Sequence, residues 1–350
     1  MVKAHEKYGE LIQFPTQRGP IVFVRGADEL MKVFTGKDFV KNGSTWGVVG
    51  GAIDVSNLVQ PMMTDTFFDW EGQRWQLARK DINPFFAHPD VIPTTLNYVH
   101  KHMDTKWGDV HECDFQEECH DIVKCSVIEL LGGMPLDEKD NDMLGVIMRH
   151  FIKINTSDEL PIFNEVDAAM IKRMIPLCKK IIEWNRSPIN DNETNKKHGL
   201  VALMLKGKTK AGDNEIVNML INLIVAGGET PALVCCKTLA AMAANPEVLE
   251  CAIKEVDATG EVNGKDLGKL SYLECCVMEG LRRYAPATVV GRVVKRDTTL
   301  CGYKLSEGAS LHVNAHAVHM DPKVWPNPMK FDPLRFELDE DGDYKVDQHP

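Results

Sequence analysis

Three groups of residues in this sequence have types and spacings that could carry chemistry. The first runs from Ala226 to Pro231 and places Glu229 and Thr230 beside two glycines, within an otherwise apolar stretch. Glycine in a helix interior is unfavourable by about 1 kcal/mol and proline by about 3 kcal/mol. The pattern favours a distorted helix whose opened backbone admits water or ligand beside a carboxylate and a hydroxyl. A loop joining two ordinary helices is the alternative.

The second group is Glu279 and Arg282, whose i, i+3 spacing puts both side chains on one helix face. The residues before them, Cys275 to Met278, offer little polar surface. This favours a buried ion pair, which needs further hydrogen-bond partners, over a solvated surface pair.

The third group is the segment from Pro326 to Phe336, which has neither a helical nor a strand period. Aromatic residues anchor it, and Arg335 is placed to reach another element. The segment is predicted to be ordered but irregular; a plain surface loop is the alternative.

The elements that position these residues are mostly helical. Helices are predicted over 27–34, over 71–83 with an end at Asn83-Pro84, from Asp213 to about Ala244, and over 246–257 and 267–284. Strands are predicted at 21–24 and, after Pro286, at 292–300, 303–305 and 311–313. The expected fold class is therefore mainly α with a small β portion.

The composition of the chain excludes several classes of protein. The chain has 350 residues, 44% hydrophobic and 26% charged, with a formal net charge of −11. These values exclude a disordered chain, and the acidity argues against general nucleic-acid binding. Ten scattered cysteines without a Cys-x-x-Cys pair make a structural zinc site unexpected and suit a reducing compartment.

Taken together, the motifs resemble those of the cytochrome P-450 family of haem-thiolate monooxygenases. The resemblance is carried by the segment from Ala226 to Thr230, by Glu279-x-x-Arg282, by Phe331-x-Pro333-x-Arg335-Phe336 and by Trp75-x-x-x-Arg79. The stretch from His319 to Trp325 is also similar to the family's segment before that irregular turn, the meander. The resemblance covers essentially the whole chain and implies the cytochrome P-450 fold.

The resemblance implies a role for each matched residue. Glu279, Arg282 and Arg335 would form a buried ionic triad that shapes the haem pocket. Trp75, Arg79 and Arg292 would contact haem propionates, with an exposed strand arginine as the alternative for Arg292. Ala226 and Gly227 would lie at the haem, and Glu229 and Thr230 would relay protons to dioxygen.

The function implied is monooxygenation of a small lipophilic substrate, with haem as cofactor and O2 as co-substrate. Electrons would come from an external reductase or ferredoxin-type donor, since Gly-x-Gly-x-x-Gly does not occur. One alternative is a hydroperoxide-rearranging relative that needs no reductase, and Glu229-Thr230 speaks against it. The other is a non-catalytic fragment. Substrate contacts are expected in 40–65, in 150–170 and after Tyr284.

The family's proximal ligand is a cysteine in a glycine-rich loop after the meander. None of the ten cysteines matches that loop, so the metal ligand is expected beyond Pro350 and the chain is expected to be a fragment. As written it is expected to be soluble, since the apolar run from Ile216 to Ala226 is too short to span a bilayer. Membrane association would need an N-terminal anchor that is missing here; the family resemblance suggests the endoplasmic-reticulum membrane or the cytoplasm.

One domain is expected over 1–350. Its parts are a β-containing lobe at about 11–60 and 287–320, a helical core at about 61–286 and the meander at 321–350.

Overall fold

The computed structural model describes residues 2–15, 20–41, 70–86, 91–107, 112–155, 165–187, 199–207, 211–260 and 266–339. The chain divides into two compact units. Unit 1 comprises Met1–Ala52 and Val234–Pro350, and unit 2 comprises Ile53–Leu233. The division falls inside one long helix, so each unit is described by itself; the single domain expected from the sequence stays a prediction.

The strands all belong to unit 1. They are β1 (Leu11–Phe14), β2 (Ile21–Val24), β3 (Phe39–Val40), β4 (Val290–Val294), β5 (Thr298–Leu300), β6 (Tyr303–Leu305) and β7 (Ser310–Val313). Five of them form a sheet in the order β1-β2-β7-β4-β3. The β2–β7 pair is parallel and the other pairs are antiparallel, so the sheet joins strands from both ends of the chain.

The strands β5 and β6 form a separate two-stranded hairpin. Both residues of its turn have positive φ, 50° at Cys301 and 78° at Gly302. Two such residues are the requirement of a type I′ turn, whose twist matches that of the flanking strands. Leu300 and Leu305 from the hairpin are buried with Val24, Val313 and other strand residues, and this apolar cluster holds the hairpin against the main sheet.

The helices in chain order are α1 (Val2–Tyr8), α2 (Ala27–Thr35), α3 (Gly72–Phe86), α4 (Val91–His102), α5 (Phe115–Gly132), α6 (Glu138–Asn155), α7 (Glu165–Lys172), α8 (Ile175–Arg186), α9 (Leu200–Lys206), α10 (Asp213–Ala243), α11 (Pro246–Thr259), α12 (Ser271–Arg283) and α13 (Ala315–His319). Helices α3 to α9 and the first two thirds of α10 build unit 2. The rest of α10, together with α11 and α12, belongs to unit 1, the unit that contains the sheet. This confirms the expected fold class, mainly helical with a small β portion.

Helix α10 is 31 residues long and strongly apolar. Among the helices in the described ranges, it is the one that is long and apolar enough to cross a membrane by length and composition. Half of its most apolar 18-residue stretch is buried inside the protein. The core helix of a soluble protein can be equally long and apolar. The finding is therefore weak evidence for a membrane span. The apolar run from Ile216 to Ala226, which by itself is too short to span a bilayer, is part of this longer helix.

The structure corrects three details of the sequence prediction. The alternative of a loop at Ala226–Pro231 is wrong, because α10 is continuous through Pro231. The helix predicted to end at Asn83 runs on to Phe86, since a proline near a helix end removes only one hydrogen bond. The strand predicted over 292–300 is broken into β4 and β5, because the chain opposite β4 turns at Gly308, whose φ is 81°, immediately before Ala309 that pairs with Val294.

Residues 42–65 of the first expected substrate-contacting segment and residues 156–164 of the second lie outside the described residues. The apolar residues at 62, 63, 67 and 68 on which that expectation depended fall in the same undescribed range. The segment after Tyr284 is described and leads without a helix into β4.

Candidate functional site

The centre of α10 combines a hydroxyl and a proline in adjacent positions. Thr230 Oγ1 donates a 2.7 Å hydrogen bond to the carbonyl oxygen of Ala226, four residues earlier. Pro231 has no N–H, so the carbonyl of Gly227 lacks its usual partner in the helix ladder. One carbonyl, that of Gly227, is thus removed from the regular helical ladder, and the carbonyl before it accepts an additional hydrogen bond from a side chain, while the helix stays continuous.

Small residues at the same place let neighbouring helices of unit 2 come close. A Cβ added at Gly228 would lie 3.0 Å from Cε of Met148 on α6, and one at Gly227 would lie 3.5 Å from Cγ1 of Val127 on α5. A contact of 3.0 Å is tight and would require the Met148 side chain to give by a few tenths of an ångström, whereas 3.5 Å is ordinary packing. The closer packing of the two is therefore that between Gly228 and α6. Glu229 and Thr230 are both half-buried.

Helix α3 carries the predicted pair Trp75 and Arg79. The guanidinium carbon of Arg79 lies 5.9 Å from the centre of the Trp75 ring, at the limit of a cation–π contact. Trp75 is half-buried and Arg79 is exposed. The i, i+4 spacing brings the two side chains together on one face of the helix.

The structure adds a tether for α3 that the sequence did not reveal. The guanidinium of Arg74 lies 3.9 Å from the centre of the buried Trp70 ring and donates a 2.8 Å hydrogen bond to Glu215 near the start of α10. The helix with Trp75 and Arg79 is thereby attached to the helix with Glu229 and Thr230, within unit 2. Nothing in the sequence relates positions 74 and 215, which are 141 residues apart.

In unit 1 the predicted pair Glu279 and Arg282 is fully buried and bidentate. Arg282 donates from Nε to Oε2 at 2.6 Å and from Nη2 to Oε1 at 2.7 Å. The backbone N–H of Asp332 donates a third hydrogen bond to Oε1 at 3.0 Å. A planar fork facing a carboxylate is the strongest arrangement of such a pair, and the amide supplies the further partner that burial requires.

Arg282 also holds the segment before and within the meander through main-chain oxygens. It donates to the carbonyls of His319 at 2.7 Å and of Pro328 at 2.9 Å. Its guanidinium carbon lies 5.3 Å from the centre of the Trp325 ring. One buried arginine therefore fixes two turns of otherwise irregular chain onto α12.

Arg335 lies beside the same carboxylate but is bound differently from the prediction. Its Nε is 3.7 Å from Glu279 Oε1, an ion-pair distance that is too long for a hydrogen bond. Its Nη2 donates instead to the carbonyls of Pro326 at 2.6 Å and Asn327 at 3.1 Å. The structure thus brings the three residues together, with one guanidinium chelated by the carboxylate and the other bound to the backbone.

Arg292 lies on β4, opposite Leu311 of β7, and is half-buried. Its Nη1 donates to the carbonyl of Gly291 at 2.8 Å, and its guanidinium carbon stands 5.0 Å from the centre of the Phe34 ring. Phe34 was not among the residues predicted from the sequence. The sequence around an aromatic residue at the end of α2 does not indicate that this residue contacts a strand 258 positions later.

All ten cysteines are in the described part of the chain and are free thiols. Burial raises the pKa of Cys178 and Cys276 to about 12 and that of Cys301 to about 11, and it also raises the pKa of Cys235 and Cys275. The surroundings of these five side chains therefore favour the neutral thiol over the metal-binding thiolate. Within the described ranges, no group of three or more His, Cys, Asp or Glu side chains is arranged to hold a metal ion.

The motifs that resemble the cytochrome P-450 family thus lie in a mainly helical protein with a small mixed sheet, and Glu229 and Thr230 lie on a long, continuous helix. The sequence model of the cytochrome P450 family matches residues 1–349. The chain belongs to the cytochrome P450 family.

Individual relatives agree with this assignment. The putative cytochrome P450 139 of Mycobacterium tuberculosis is 28% identical over 281 residues, which are 76% of this chain and 65% of that protein. The 4-hydroxyphenylacetaldehyde oxime monooxygenase of Sorghum bicolor is 30% identical over 194 residues, which are 52% of this chain and 35% of that protein. The matches thus span less than two thirds of either relative.

A solved structure supports the fold independently. The crystal structure of the cytochrome P450 CYP102L1 superposes with a TM-score of 0.78, covering 100% of this chain and 83% of that one at 20% identity. At this identity the likeness concerns the fold alone.

Proposed function

We propose that the protein acts as a haem-dependent monooxygenase that inserts one oxygen atom of O2 into a lipophilic organic substrate. A separate redox partner, of the reductase or ferredoxin type, would supply the electrons. The observation that carries the proposal is the centre of α10, where an acid and a hydroxyl stand at a helix distortion inside a chain of this family. Haem, when bound, would supply the activation of O2.

The residues present fit this cofactor on its distal face and at its carboxylates. Ala226 and Gly227 have no side chain beyond Cβ and would leave room for a flat ring against α10. Trp75 and Arg79 in unit 2, and Arg292 in unit 1, each carry donors that a propionate would bind, an indole N–H and guanidinium groups. The arginine–aromatic contacts already restrict both guanidinium groups.

Thr230 would control proton delivery. A hydroxyl donates one hydrogen bond and accepts two, so it accepts a proton from one side while it passes its own to another. In this structure the donor is directed to the Ala226 carbonyl. The Thr230 hydroxyl would have to rotate away from that carbonyl to serve dioxygen, with Glu229 as the adjacent acid that replenishes the proton.

Glu279, Arg282 and Arg335 would act on the pocket through the backbone of the meander. Between them the two arginines bind five main-chain carbonyls in the meander or just before it, those of His319, Pro326, Asn327, Pro328 and Lys330. A segment without regular hydrogen bonds keeps one shape only when side chains satisfy its polar groups. The triad is therefore a positioning device and not a part of the chemistry.

None of the ten cysteines is assigned as the iron ligand. The five with raised pKa values favour the neutral thiol. A non-catalytic product is for this reason the second candidate function, and the same experiment distinguishes the two.

The test is an absorption spectrum of the protein expressed with haem supplied, reduced and exposed to carbon monoxide. Stoichiometric haem with a strongly red-shifted Soret band, the signature of a thiolate ligand, would support the proposed function and would overturn the expectation that the ligand lies beyond Pro350. Single replacement of each cysteine by serine then identifies a ligand within the chain, because only that variant loses the band. Little retained haem, or haem with no such band, contradicts the proposal and supports the non-catalytic alternative.

A further inference from the structure

The guanidinium of Arg292, which lies on an interior strand of the five-stranded sheet, is close to an aromatic ring. Its strand β4 lies between β7 and β3, and Leu311 is its neighbour across the β4–β7 ladder. The Phe34 ring centre lies 5.0 Å from the guanidinium carbon, within the range of a cation–π contact. Phe34 keeps 43% of its surface exposed while its neighbour Val33 is buried at 1%.

The turn after α2 fixes where Phe34 can lie. Gly36 ends the helix, and its N–H donates to the Lys32 carbonyl at 2.8 Å. A Cβ added at Gly36 would lie 2.3 Å from that carbonyl oxygen, a distance that no side chain tolerates. Only glycine permits so tight a turn, and the tight turn keeps the last residues of α2 beside the sheet.

Asp38 fastens this turn to the strand that bears Arg292. Its carbonyl accepts from the Lys295 amide at 2.7 Å, and its carboxylate accepts from Arg296 Nε at 2.5 Å and Thr298 Oγ1 at 3.3 Å. Immediately after it, β3 pairs with β4 at Phe39–Val294. Phe34 is thus connected to the strand of Arg292 by four residues and a set of hydrogen bonds that restrict relative movement.

We propose that Phe34 is a positioning residue that restricts the Arg292 guanidinium to an orientation in which it binds a carboxylate. The ring contact at 5.0 Å and the hydrogen bond from Nη1 to the Gly291 carbonyl limit the orientations of the head group, and a bidentate carboxylate requires a guanidinium of fixed orientation. The carboxylate in question is a haem propionate, so the inference rests on the proposed function. Without the ring, Arg292 would have more rotamers to lose when it binds the carboxylate.

A double-mutant cycle tests this role. Phe34→Leu keeps an apolar side chain but removes the ring, Phe34→Tyr keeps the ring, and Arg292→Gln removes the cation. Haem titration of the apoprotein, followed by the Soret band, gives the affinity of each variant and of Phe34→Leu/Arg292→Gln. Met31→Ala, a change at the 58% exposed Met31 of the same helix, is the matched control.

The expected result is an affinity about two- to fivefold lower for Phe34→Leu, which is the usual size of one exposed cation–π contact. Phe34→Tyr and Met31→Ala should keep the wild-type affinity, and Phe34→Leu should have no further effect when Arg292 is already replaced. The midpoint potential of the haem iron should fall in both Phe34→Leu and Arg292→Gln, because a propionate with less compensation disfavours reduction.

Additive losses in the double variant, or a loss in Phe34→Tyr as large as in Phe34→Leu, would overturn the positioning role. Wild-type protein that takes up no haem would instead overturn the proposed function. The two failures are therefore distinguishable in one series of titrations.

Discussion

The carboxylate of Glu255, on α11, caps the first turn of α12 by accepting the backbone N–H of Tyr272. That hydrogen bond, to Oε1, is 2.8 Å long, and Oε2 accepts the N–H of Leu273 at 2.9 Å. The side-chain hydroxyl of Ser271 also donates to Oε1, at 3.3 Å. Since the first N–H groups of a helix have no partner inside it, an acid from a neighbouring helix takes the place of a local capping residue.

Loss of this cap should destabilise the helix that carries Glu279 and Arg282. Glu255→Ala is expected to lower the free energy of unfolding by about 1–2 kcal/mol, and Glu255→Gln by less, because the amide oxygen still accepts one hydrogen bond. Glu250→Ala is the control, since Glu250 forms only an exposed pair with Lys254 on the same helix. Equal urea-unfolding midpoints for Glu255→Ala and Glu250→Ala would contradict the capping role.

Helices α10 and α12 meet where Gly280 faces Thr238. A Cβ at Gly280 would lie 1.9 Å from Thr238 Oγ1 and 3.0 Å from its Cβ. Gly280→Ala should therefore cost about 1–3 kcal/mol of stability by overpacking. Thr238→Ala removes the closest atom, so the double variant should recover most of the loss in chemical denaturation.

Gly268→Ala provides the comparison for that experiment, because a Cβ there meets nothing within 4 Å. If Gly280→Ala were as stable as Gly268→Ala, or if Thr238→Ala failed to rescue it, the close approach of the two helices would not be the reason for glycine between Glu279 and Arg282.

Removal of the Glu279 carboxylate should be more severe than either change. The side chain is 0% exposed and faces two buried arginines. Glu279→Ala leaves both cations without their anion, for which a loss of about 3–5 kcal/mol and of the holoprotein is expected. Glu274→Ala, on the exposed face of α12, should leave both unfolding and haem content unchanged. Normal haem incorporation by Glu279→Ala would show that the triad does not shape the pocket.

Stability should also depend on pH through buried histidines. Burial lowers the pKa of His5, His120, His312, His316 and His319 below the usual 6.5, and Arg282 adds to the effect at the last two. The unfolded chain takes up protons near that value while the folded chain resists them. The stabilising contribution is complete above about pH 7 and is lost progressively as the pH falls toward the lowered folded-state values.

Urea unfolding at a series of pH values measures this effect. The free energy of unfolding should decrease from about pH 7 to pH 5, with net proton uptake on unfolding. His312→Gln, which removes one of the buried imidazoles, should reduce the slope. A flat profile, or stability that rises as the pH falls, would contradict the sign of these shifts.

Patterns within one element were readable from the sequence, and relationships between elements were not. Glu279 and Arg282 could be paired because their i, i+3 spacing and apolar neighbours act within a single helix, and the apolar period likewise predicted α10. The Glu255 cap depends on how α11 lies against α12, and the Phe34–Arg292 contact depends on a tight turn and a strand pairing across 258 positions. No local pattern encodes either one.

The break between β4 and β5 shows the same limit. Alternation from Arg292 to Leu300 predicts one strand, and that period is satisfied on both sides of the break. The strand ends because the neighbouring chain stops running alongside it: the Val294 amide donates to the Ala309 carbonyl, and the residue before Ala309 is Gly308, in a turn with φ 81°. The end of the neighbouring strand, and not the local pattern, decides the boundary.

The role of Thr230 leads to a prediction about coupling. Thr230→Ala removes the hydroxyl but leaves the Ala226 carbonyl with its main-chain partner, so the helix and haem binding should be retained. Proton delivery should fail, so that electron consumption exceeds product formation. The rate of product formation should fall about 10²-fold, which is the usual contribution of one proton-transfer group. Thr230→Ser restores the hydroxyl without the methyl group and should restore coupling. The effect is measured as the ratio of product formed to electron donor consumed, with any substrate that shifts the haem spectrum. An unchanged ratio in Thr230→Ala would reject the proton relay.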